Sequence, residues 1–277
     1  MTSKTNEMLG PELPIALAMA GHDPTGGAGI QADIETLISM GCHACSAVTA
    51  LTVQDTSHVF SFMPVEPEML IQQARTVLED MPVHAIKIGM TGSVEIVEAI
   101  HSILIDYSEV PVVLDPVMAS GGGDSLSERS VREAMIELLL PYTTVLTPNT
   151  PEARELAPES DTLDACAMAL LDHGCKYVLI TGTHEQTGEV INSLYGEDQK
   201  LETFSWPRLE GSYHGSGCTL AAAIAGLLAQ GKTPRQAALE AQEFTWQALN
   251  GGYRTGMGQK MPNRFFWSAG DDNEGAS

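Results

Sequence analysis

The chain has 277 residues, of which 43% are hydrophobic and 5% aromatic, a length and composition that favour one large domain with an aliphatic core. The formal net charge is −22, with 14 basic against 36 acidic side chains, which argues against nucleic acid or an anionic membrane surface as a partner, because both attract basic patches. No apolar run approaches the ~20 residues that span a bilayer, and residues 1–14 lack the features of a signal peptide, so we expect a cytoplasmic protein.

Short apolar runs alternate with helical patterns along the chain. The pattern predicts strands at 15–20, 45–51, 85–90, 112–115, 145–147 and 177–181. Helices are predicted at 29–40, 67–80, 94–105, 129–140, 151–156 and 163–173. An antiparallel pair at 189–194 and 201–206 follows, and helices are predicted at 218–229 and 234–249. Such alternation predicts an α/β fold in which helices cover both faces of a mostly parallel sheet.

No change of composition marks a linker, so we expect a single domain at residues 15–267. The polar segment 1–14 and the acidic segment 268–277 are predicted to be disordered. Ligands of such sheets bind at the carboxyl ends of the strands. The segments that follow predicted strands are therefore candidates for the site: 21–23, 54–55, 89–91, 115–118 and 147–149.

The first strand leads into a turn at residues 21–29 (the glycine turn), which contains four glycines. The turn lacks the Gly-Lys-Ser/Thr ending of a Walker A loop and is not a G-x-G-x-x-G fingerprint. Its glycines allow the backbone to approach a ligand closely. Asp33, on the following helix, is either a solvated carboxylate or an acceptor that reaches back into the pocket. Gln54 either pairs with the edge of a heterocycle or caps a turn.

A second group of polar residues contains Asp115, Asn149 and Glu152. Asn149 and Glu152 begin a short helix, so their spacing fits a capping box. Oxygen ligands of this kind also suit Mg²⁺ that carries a nucleotide and keeps most of its waters. The spacing alone leaves both interpretations open.

The segment 215–220 leads into an alanine-rich helix, and the N–H groups of Ser216, Gly217 and Cys218 (the anion cradle) lie at its start. Such N–H groups, with the helix dipole, bind phosphates. The dipole also lowers the pKa of a thiol. Cys218 is therefore predicted to be a general base whose thiolate accepts the proton of a substrate hydroxyl during phosphoryl transfer. His214 is an alternative base, and a buried helix with an inert cysteine is the plain alternative.

The remaining cysteines are predicted to be free thiols, since the count of five is odd and the chain has no secretion signal. Cys42 and Cys45 form a C-x-x-C pattern. They begin an apolar run that is typical of a buried strand, and no second ligand pair follows at zinc spacing. We interpret these two cysteines as structural.

Six segments together resemble, in order, the signatures of hydroxymethylpyrimidine/phosphomethylpyrimidine kinases, the thiamine-pathway branch of the ribokinase superfamily. They lie at 20–33, 49–54, 87–90, 114–118, 147–153 and 214–220. The resemblance covers roughly residues 15–250. It implies a ribokinase-like three-layer α/β/α sandwich, ATP and Mg²⁺ as cofactors, a pyrimidine substrate and a homodimer. The family phosphorylates the alcohol and then phosphorylates the monophosphate to the diphosphate.

The resemblance also implies roles for single residues. The pyrimidine would contact Gly21, Ala28, Asp33, Gln54, Met90 and Val117, with its hydroxymethyl group facing Cys218. Asp115, Asn149 and Glu152 would organise Mg²⁺ and the ATP phosphates, with Asp115 and Glu152 binding the metal through water. Thr181 and Ser216 are also expected at the phosphates. Gly215, Ser216 and Gly217 would complete the catalytic group around Cys218, which stands where sugar-kinase relatives carry an aspartate base.

The sequence departs from the family pattern in two places, and each departure removes a cation from the expected phosphate region. The loop at 119–124 contains no lysine, and residues 181–184 read Thr-Gly-Thr-His instead of Lys-Gly-Gly-His. We expect the second phosphorylation to be affected more than the first. The aromatic segment 262–267 has no assigned role and is expected to dock on the body of the domain.

Two alternative functions remain open. A kinase for pyridoxine, pyridoxal or pyridoxamine would need a similar pocket, because that ring has a similar size and also carries a hydroxymethyl group. A catalytically silent pyrimidine-binding or regulatory protein is the other alternative. The intact segment 215–218 argues against a silent protein.

Overall fold

The structure is a computed structural model of the chain, and it describes residues 13–117, 125–185 and 187–268. The predicted N-terminal and C-terminal disordered segments, apart from residues 13–14 and 268, lie outside the described residues. The loop at 119–124, where the family lysine is missing, also lies outside them.

A nine-stranded sheet forms the centre of the fold, in the order β3-β2-β1-β4-β5-β6-β7-β8-β9. The strands are β1 Ile15–His22, β2 His43–Gln54, β3 Val59–Pro64, β4 Ala85–Ile88, β5 Val112–Leu114, β6 Val145–Leu146, β7 Tyr177–Ile180, β8 Glu189–Gly196 and β9 Gln199–Pro207. Neighbours from β2 to β7 pair in parallel, whereas β3, β8 and β9 pair antiparallel at the two edges. The predicted α/β class with a mostly parallel sheet is confirmed.

Helices cover both faces of this sheet. They are α1 Gly29–Ser39, α2 Pro67–Asp80, α3 Val94–Asp106, α4 Ser125–Ala134, α5 Thr150–Leu156, α6 Leu163–Asp172, α7 Ser216–Ala229 and α8 Pro234–Asn250. On one face, larger strand side chains such as Leu17 and Ile86 pack against α2, α3, α5 and α6. On the other face, small side chains such as Ala18 and Ala85 pack with α1, α7 and α8. This arrangement is the predicted three-layer sandwich.

Helix α7 is buried along its whole length beyond its first turn, from Thr219 to Ala229. Its alanines lie against the alanines of β1 and β4, because small side chains on both elements leave room for a helix close to the sheet. The start of α7 is thereby fixed at the carboxyl ends of the central strands. No described helix combines the length and the apolarity needed to cross a membrane.

Two regions differ from the sequence prediction. Strand β2 runs on to Gln54 and pairs with β3, a strand that the sequence patterns do not predict, because Ser61 interrupts its apolar residues and they show no clear alternation. The helix predicted at 129–140 is divided, since α4 passes into a π-helical turn at Met135–Leu139 and a 3₁₀ turn at Leu140–Tyr142. Pro141 explains the second break, because proline has no N–H to continue the helix.

The cysteines of the C-x-x-C pattern are free and buried. The Cys42 sulfur lies 3.4 Å from the Gly226 carbonyl oxygen, and the Cys45 sulfur lies 3.5 Å from the Met81 sulfur. Burial raises the pKa of the Cys42 thiol to about 11. The two side chains pack into different helical layers, which supports the structural interpretation.

Candidate active site at the carboxyl ends of the strands

A pocket of about 140 Å³ opens at the carboxyl ends of β1, β2 and β4. It is lined by fifteen residues: Ala20, Gly21, His22, Asp23, Ala28, Gly29, Thr52, Gln54, Val59, Phe62, Lys87, Met90, Val117, His214 and Cys218. Five of the six residues predicted to contact the ring are among them, and Asp33 is the exception. The structure therefore brings the glycine turn, Gln54 and Cys218 around one small space.

The β2–β3 hairpin forms one wall of the pocket through the face that carries Thr52, Gln54 and Phe62. The Gln54 side-chain amide donates to the Thr52 hydroxyl at 2.7 Å, and that hydroxyl donates to the His22 carbonyl oxygen at 2.8 Å. These bonds fix the Gln54 side chain against the glycine turn. Sequence reasoning missed Phe62 and Val59 because it did not predict β3.

Asp33 lies behind the pocket wall and is not among the residues that line it, so its predicted contact with the ring stays a prediction. Its side chain is fully buried, and the Lys87 ammonium lies 2.8 Å from Oδ1 and 2.9 Å from Oδ2. Burial raises the pKa of Asp33 to about 6, although Lys87 opposes this shift. Lys87 lines the pocket in its place. A buried ammonium needs a counter-charge, so the carboxylate is the partner of the lysine in the ligand-free pocket.

Lys87 is a candidate functional residue to which sequence reasoning gave no role. Burial alone would favour its neutral amine, but Asp33, Cys218 and Asp115 raise the pKa of Lys87 above its ordinary value. The side chain is therefore a cation inside the pocket wall. One signal was present in the sequence, since a lysine interrupts the apolar run of β4 and lysine is almost never fully buried unless paired.

Asp23 holds the glycine turn together from inside. Its carboxylate accepts from the backbone N–H groups of Thr25 at 2.8 Å and Ala28 at 2.7 Å, and it lies 2.9 Å from His214 Nε2. Burial favours the neutral acid, yet the hydrogen bonds from His214, Thr25 and Ala28 lower the pKa of Asp23. His214, the alternative base, is thereby held beside a carboxylate at the pocket.

The start of α7 approaches the glycine turn so closely that only glycine fits at position 215. Gly215 has φ +79°, and a Cβ there would lie 1.9 Å from the Gly27 carbonyl oxygen. No side chain caps α7, and none caps α1, whose N-cap is Ala28. The Gly29 N–H, at the start of α1, lowers the pKa of the Cys218 thiol, and both residues line the pocket. Two uncapped helix N-termini therefore meet at Cys218.

The structure contradicts the expectation that the helix dipole lowers the pKa of Cys218. Burial raises the pKa of this thiol to about 12, with Asp115 and Asp33 acting in the same direction. Lys87 and the Gly29 N–H lower it, but they do not outweigh the loss of solvation. The thiol is neutral near pH 7 in the absence of ligands.

The second polar group lies next to the anion cradle. A Cβ on Gly217 would lie 3.7 Å from Asp115 Oδ1. Asn149 and Glu152 form a reciprocal capping box at 2.8 and 2.9 Å, so the helix-cap interpretation is correct for both. Asn149 also forms a parallel bridge with Thr181, which places Thr181 beside the start of α5.

Asp115 and Glu152 are the described carboxylates best suited to a metal. Asp115 is 4% exposed, and its Oδ2 has no hydrogen-bond partner among the described residues. Burial, followed by the charge of Asp115, raises the pKa of Glu152 to about 8. Two desolvated carboxylates that repel each other fit a hard divalent cation. The described part of the chain contains no cluster of three or more metal-binding side chains, so water and phosphate oxygens would complete the coordination.

The raised pKa of Glu152 predicts a pH-dependent stability. Between the ordinary value of 4.5 and the folded value of about 8, the folded chain holds a proton that the unfolded chain has lost. The free energy of unfolding therefore falls as pH rises through this window. Tm should therefore decline over the same pH range. Glu152→Gln should flatten this decline, whereas Glu95→Gln should not, because hydrogen bonds lower the pKa of Glu95. If Tm falls with pH as steeply in Glu152→Gln as in the wild-type protein, the decline does not come from the raised pKa of Glu152.

The guanidinium of Arg208 lies next to residues 181–184, where the sequence departs from the Lys-Gly-Gly-His pattern of the family. Arg208 donates to the carbonyl oxygens of Thr183, Glu185 and Thr187 at 2.9, 2.7 and 2.8 Å. These bonds organise the loop after β7. The guanidinium is committed to backbone carbonyls, so it does not replace the missing lysine as a phosphate-binding cation.

Comparison with known proteins places this geometry in context. The family model described as phosphomethylpyrimidine kinase matches residues 23–263. A hydroxymethylpyrimidine/phosphomethylpyrimidine kinase of Streptomyces coelicolor is 36% identical over 250 residues, which cover 88% of this chain and 92% of the relative.

Solved structures of two vitamin kinases have the same fold. An ADP complex of Bacillus subtilis pyridoxal kinase superposes with a TM-score of 0.86 and 28% identity, over 93% of this chain and 99% of that chain. A phosphomethylpyrimidine kinase from Clostridium difficile superposes with a TM-score of 0.72 and 34% identity, over 85% and 99%.

Proposed function

Because the chain belongs to the phosphomethylpyrimidine kinase family, we propose that it phosphorylates 4-amino-5-hydroxymethyl-2-methylpyrimidine with ATP, and then phosphorylates the product to the diphosphate for thiamine biosynthesis. One observation carries this proposal. The small pocket that contains Gln54 and Cys218 opens at the uncapped N-termini of α1 and α7. A ring bound there would present its hydroxyl group beside an anion-binding site.

The predicted site residues divide into two roles. Gly21, Ala28, Met90 and Val117 supply backbone and apolar contacts to the ring, and Gln54 hydrogen-bonds the aminopyrimidine edge. On the phosphate side, Asn149, Thr181, Ser216 and the N–H groups of the anion cradle bind the phosphates of ATP. Gly215 and Gly217 keep that side free of Cβ atoms.

Charge at the phosphates is balanced by the chain and by a metal. Mg²⁺ bound through water to Asp115 and Glu152 would neutralise negative charge on the nucleotide phosphates. Lys87 adds a fixed cation beside Cys218 and Asp115. Preorganised charges of this kind stabilise the transferring phosphoryl group because they need no reorganisation during the reaction.

Cys218 is the proposed general base. Its thiolate accepts the hydroxyl proton while the substrate oxygen bonds to the γ-phosphorus and the bond to ADP breaks. Since the pKa of the thiol is about 12 without ligands, the thiolate is a minor species at neutral pH, and Lys87 with the Gly29 N–H favours its formation. His214, paired with Asp23, is the alternative acceptor.

Pyridoxal is the second candidate substrate. The backbone superposes more closely on the pyridoxal kinase than on the phosphomethylpyrimidine kinase. Pyridoxine and pyridoxamine carry the same hydroxymethyl group and would enter the same pocket. The closer relationship in sequence to pyrimidine kinases favours the pyrimidine.

The deciding experiment measures ATP consumption with the hydroxymethylpyrimidine and, separately, with pyridoxal, and identifies products by mass. Mono- and diphosphate of the pyrimidine would support the two-step kinase, and monophosphate alone would show that the missing lysines matter. Turnover with pyridoxal only would overturn the substrate assignment. ATP-dependent turnover of either substrate would exclude a silent binding protein.

Replacement of Gln54 distinguishes the two substrates. Gln54→Ala should lower kcat/KM for the pyrimidine by about 10-fold, the effect of one lost hydrogen bond at a buried site, and should lower it less for pyridoxal. Gln72→Ala, an exposed glutamine on α2 that pairs with Glu68, is the matched control. Equal losses on both substrates would count against the role of Gln54 in ring recognition.

We also propose that the chain is a cytoplasmic homodimer in which residues 15–267 act as one domain. The outer face of the β2–β3 hairpin exposes Leu51, Val53 and Met63 by 45%, 61% and 62%. Leu51 and Met63 are directly paired across the hairpin, so they form a continuous apolar surface suited to a second copy. Light scattering of the purified protein tests the oligomeric state.

A further inference from the structure

The C-terminal segment 262–267 contributes a buried cation that contacts the glycine turn and α7. Arg264 is 2% exposed. Its Nη1 and Nη2 donate to the carbonyl oxygens of Gly26 and Gly27, and its Nε donates to the Thr219 hydroxyl at 3.0 Å. Nη1 also lies 3.0 Å from Glu35 Oε2. One planar side chain therefore joins the glycine turn to the first turn of α7.

On the glycine turn, Arg264 helps to fix one peptide group. The Gly27 carbonyl oxygen and the Ala28 N–H belong to the same rigid plane. The oxygen accepts from Arg264, and the N–H donates to Asp23 at 2.7 Å. Because both ends of the plane are bonded, the peptide that lines the pocket cannot rotate without losing two hydrogen bonds.

On α7, Arg264 acts through Thr219. The Thr219 hydroxyl accepts from Arg264 and donates to the Gly215 carbonyl oxygen at 2.8 Å. That oxygen shares a rigid plane with the Ser216 N–H, the first donor of the anion cradle. The orientation of this N–H is therefore linked to the same guanidinium.

We propose that Arg264 is a positioning residue for phosphoryl transfer. It fixes the orientation of the Gly27–Ala28 peptide group relative to the Gly215–Ser216 peptide group, and so fixes the pocket relative to the anion cradle. Arg264 does not itself line the pocket. The inference rests on the proposed kinase function for its effect on rate. The rigid fork is essential, since a lysine ammonium carries the charge but cannot reach all of these acceptors in one plane.

Two variants of Arg264 test this role at a temperature well below the Tm of each protein. Arg264→Lys should lower kcat about 10-fold or more, because misplaced N–H donors no longer match the charge that develops in the transition state. Arg264→Ala should lower kcat by at least the same factor, and added guanidinium ion should restore part of the kcat of this variant. Glu35→Gln is the control: it removes the ion pair but leaves the carbonyl and Thr219 contacts, so kcat should stay within about twofold.

Hydrogen exchange gives a readout that does not depend on turnover. Backbone amides of residues 25–29 and 214–219 should exchange faster in Arg264→Lys than in the wild-type protein. Should Arg264→Ala fail to fold, the same measurements on Arg264→Lys and Thr219→Val test the inference, since each of these substitutions removes only part of the hydrogen-bond network. Wild-type kcat in Arg264→Lys, whether or not its Tm falls, would overturn the inference. An inactive wild-type protein would instead contradict the proposed function.

Discussion

Replacing Cys218 by alanine should lower kcat by about 10²-fold or more, the effect of losing a general base, while ATP binding and the fold are retained. The side chain is small and lies in the first turn of α7. Its truncation leaves the anion cradle intact, because the cradle consists of backbone N–H groups. Turnover at saturating substrate and ATP affinity, measured on the same preparation, check this expectation. Cys45→Ala, in the opposite helical layer, is the matched control and should retain wild-type kcat.

The pH profile separates the two candidate bases. A thiol with a pKa of about 12 in the ligand-free protein has no plateau near neutrality, so kcat/KM should continue to rise between about pH 6 and 9 if the thiolate is the base. A profile that levels off below about pH 9, together with near-normal turnover of Cys218→Ala, would exclude the thiolate and move the role to His214 or to water. Loss of turnover in Cys218→Ala with a rising wild-type profile supports the thiolate.

Replacing Lys87 by methionine should destabilise the fold by about 3–5 kcal/mol, because it leaves the Asp33 carboxylate buried without its counter-charge. The pair is fully buried, with Nζ 2.8 Å from Oδ1. Urea unfolding followed by circular dichroism measures the change. Lys200→Met is the control: Lys200 pairs with Asp164 at 2.7 Å, but both side chains are largely exposed, and such pairs contribute only about 0–1 kcal/mol.

A double variant separates the structural role of Lys87 from its chemical role. Lys87→Met combined with Asp33→Leu removes both buried charges, so stability should return to near the wild-type value. Turnover should remain low, since the cation beside Cys218 and Asp115 is still missing. Full activity in the double variant would reduce Lys87 to a structural partner of Asp33. Wild-type stability in the single variant would contradict the importance of the ion pair.

The wall of the pocket that the β2–β3 hairpin forms should distinguish the pyrimidine from pyridoxal. Gln54 is held by Thr52, and Phe62 of β3 lies beside it. A fixed amide favours a ring with nitrogen atoms at its edge, whereas an apolar wall is equally suited to pyridoxal. The ratio of kcat/KM for the two substrates therefore depends mainly on Gln54, which is why that single residue carries the test of specificity.

Much of the candidate site was accessible from local patterns. The glycine turn, Gln54, Met90, Val117 and Cys218 each follow a strand or begin a helix, and elements of that kind meet at one edge of a parallel sheet. The unpredicted strand β3 shows the limit of such patterns. Its six residues include four large apolar side chains, but Ser61 interrupts them and Pro64 ends the strand, so the segment gives neither a continuous apolar run nor a clear alternation.

Local sequence by itself determined the α/β architecture, the order of strands and helices along the chain apart from β3, and the uncapped start of α7 at Gly215, because periodicity and turn chemistry act over a few residues. Only the tertiary structure decided that Asp33 serves Lys87, that burial keeps the Cys218 thiol neutral, and that Arg264 reaches the glycine turn. Desolvation and charge pairing depend on residues far apart in the chain, and the folded packing alone brings them into contact.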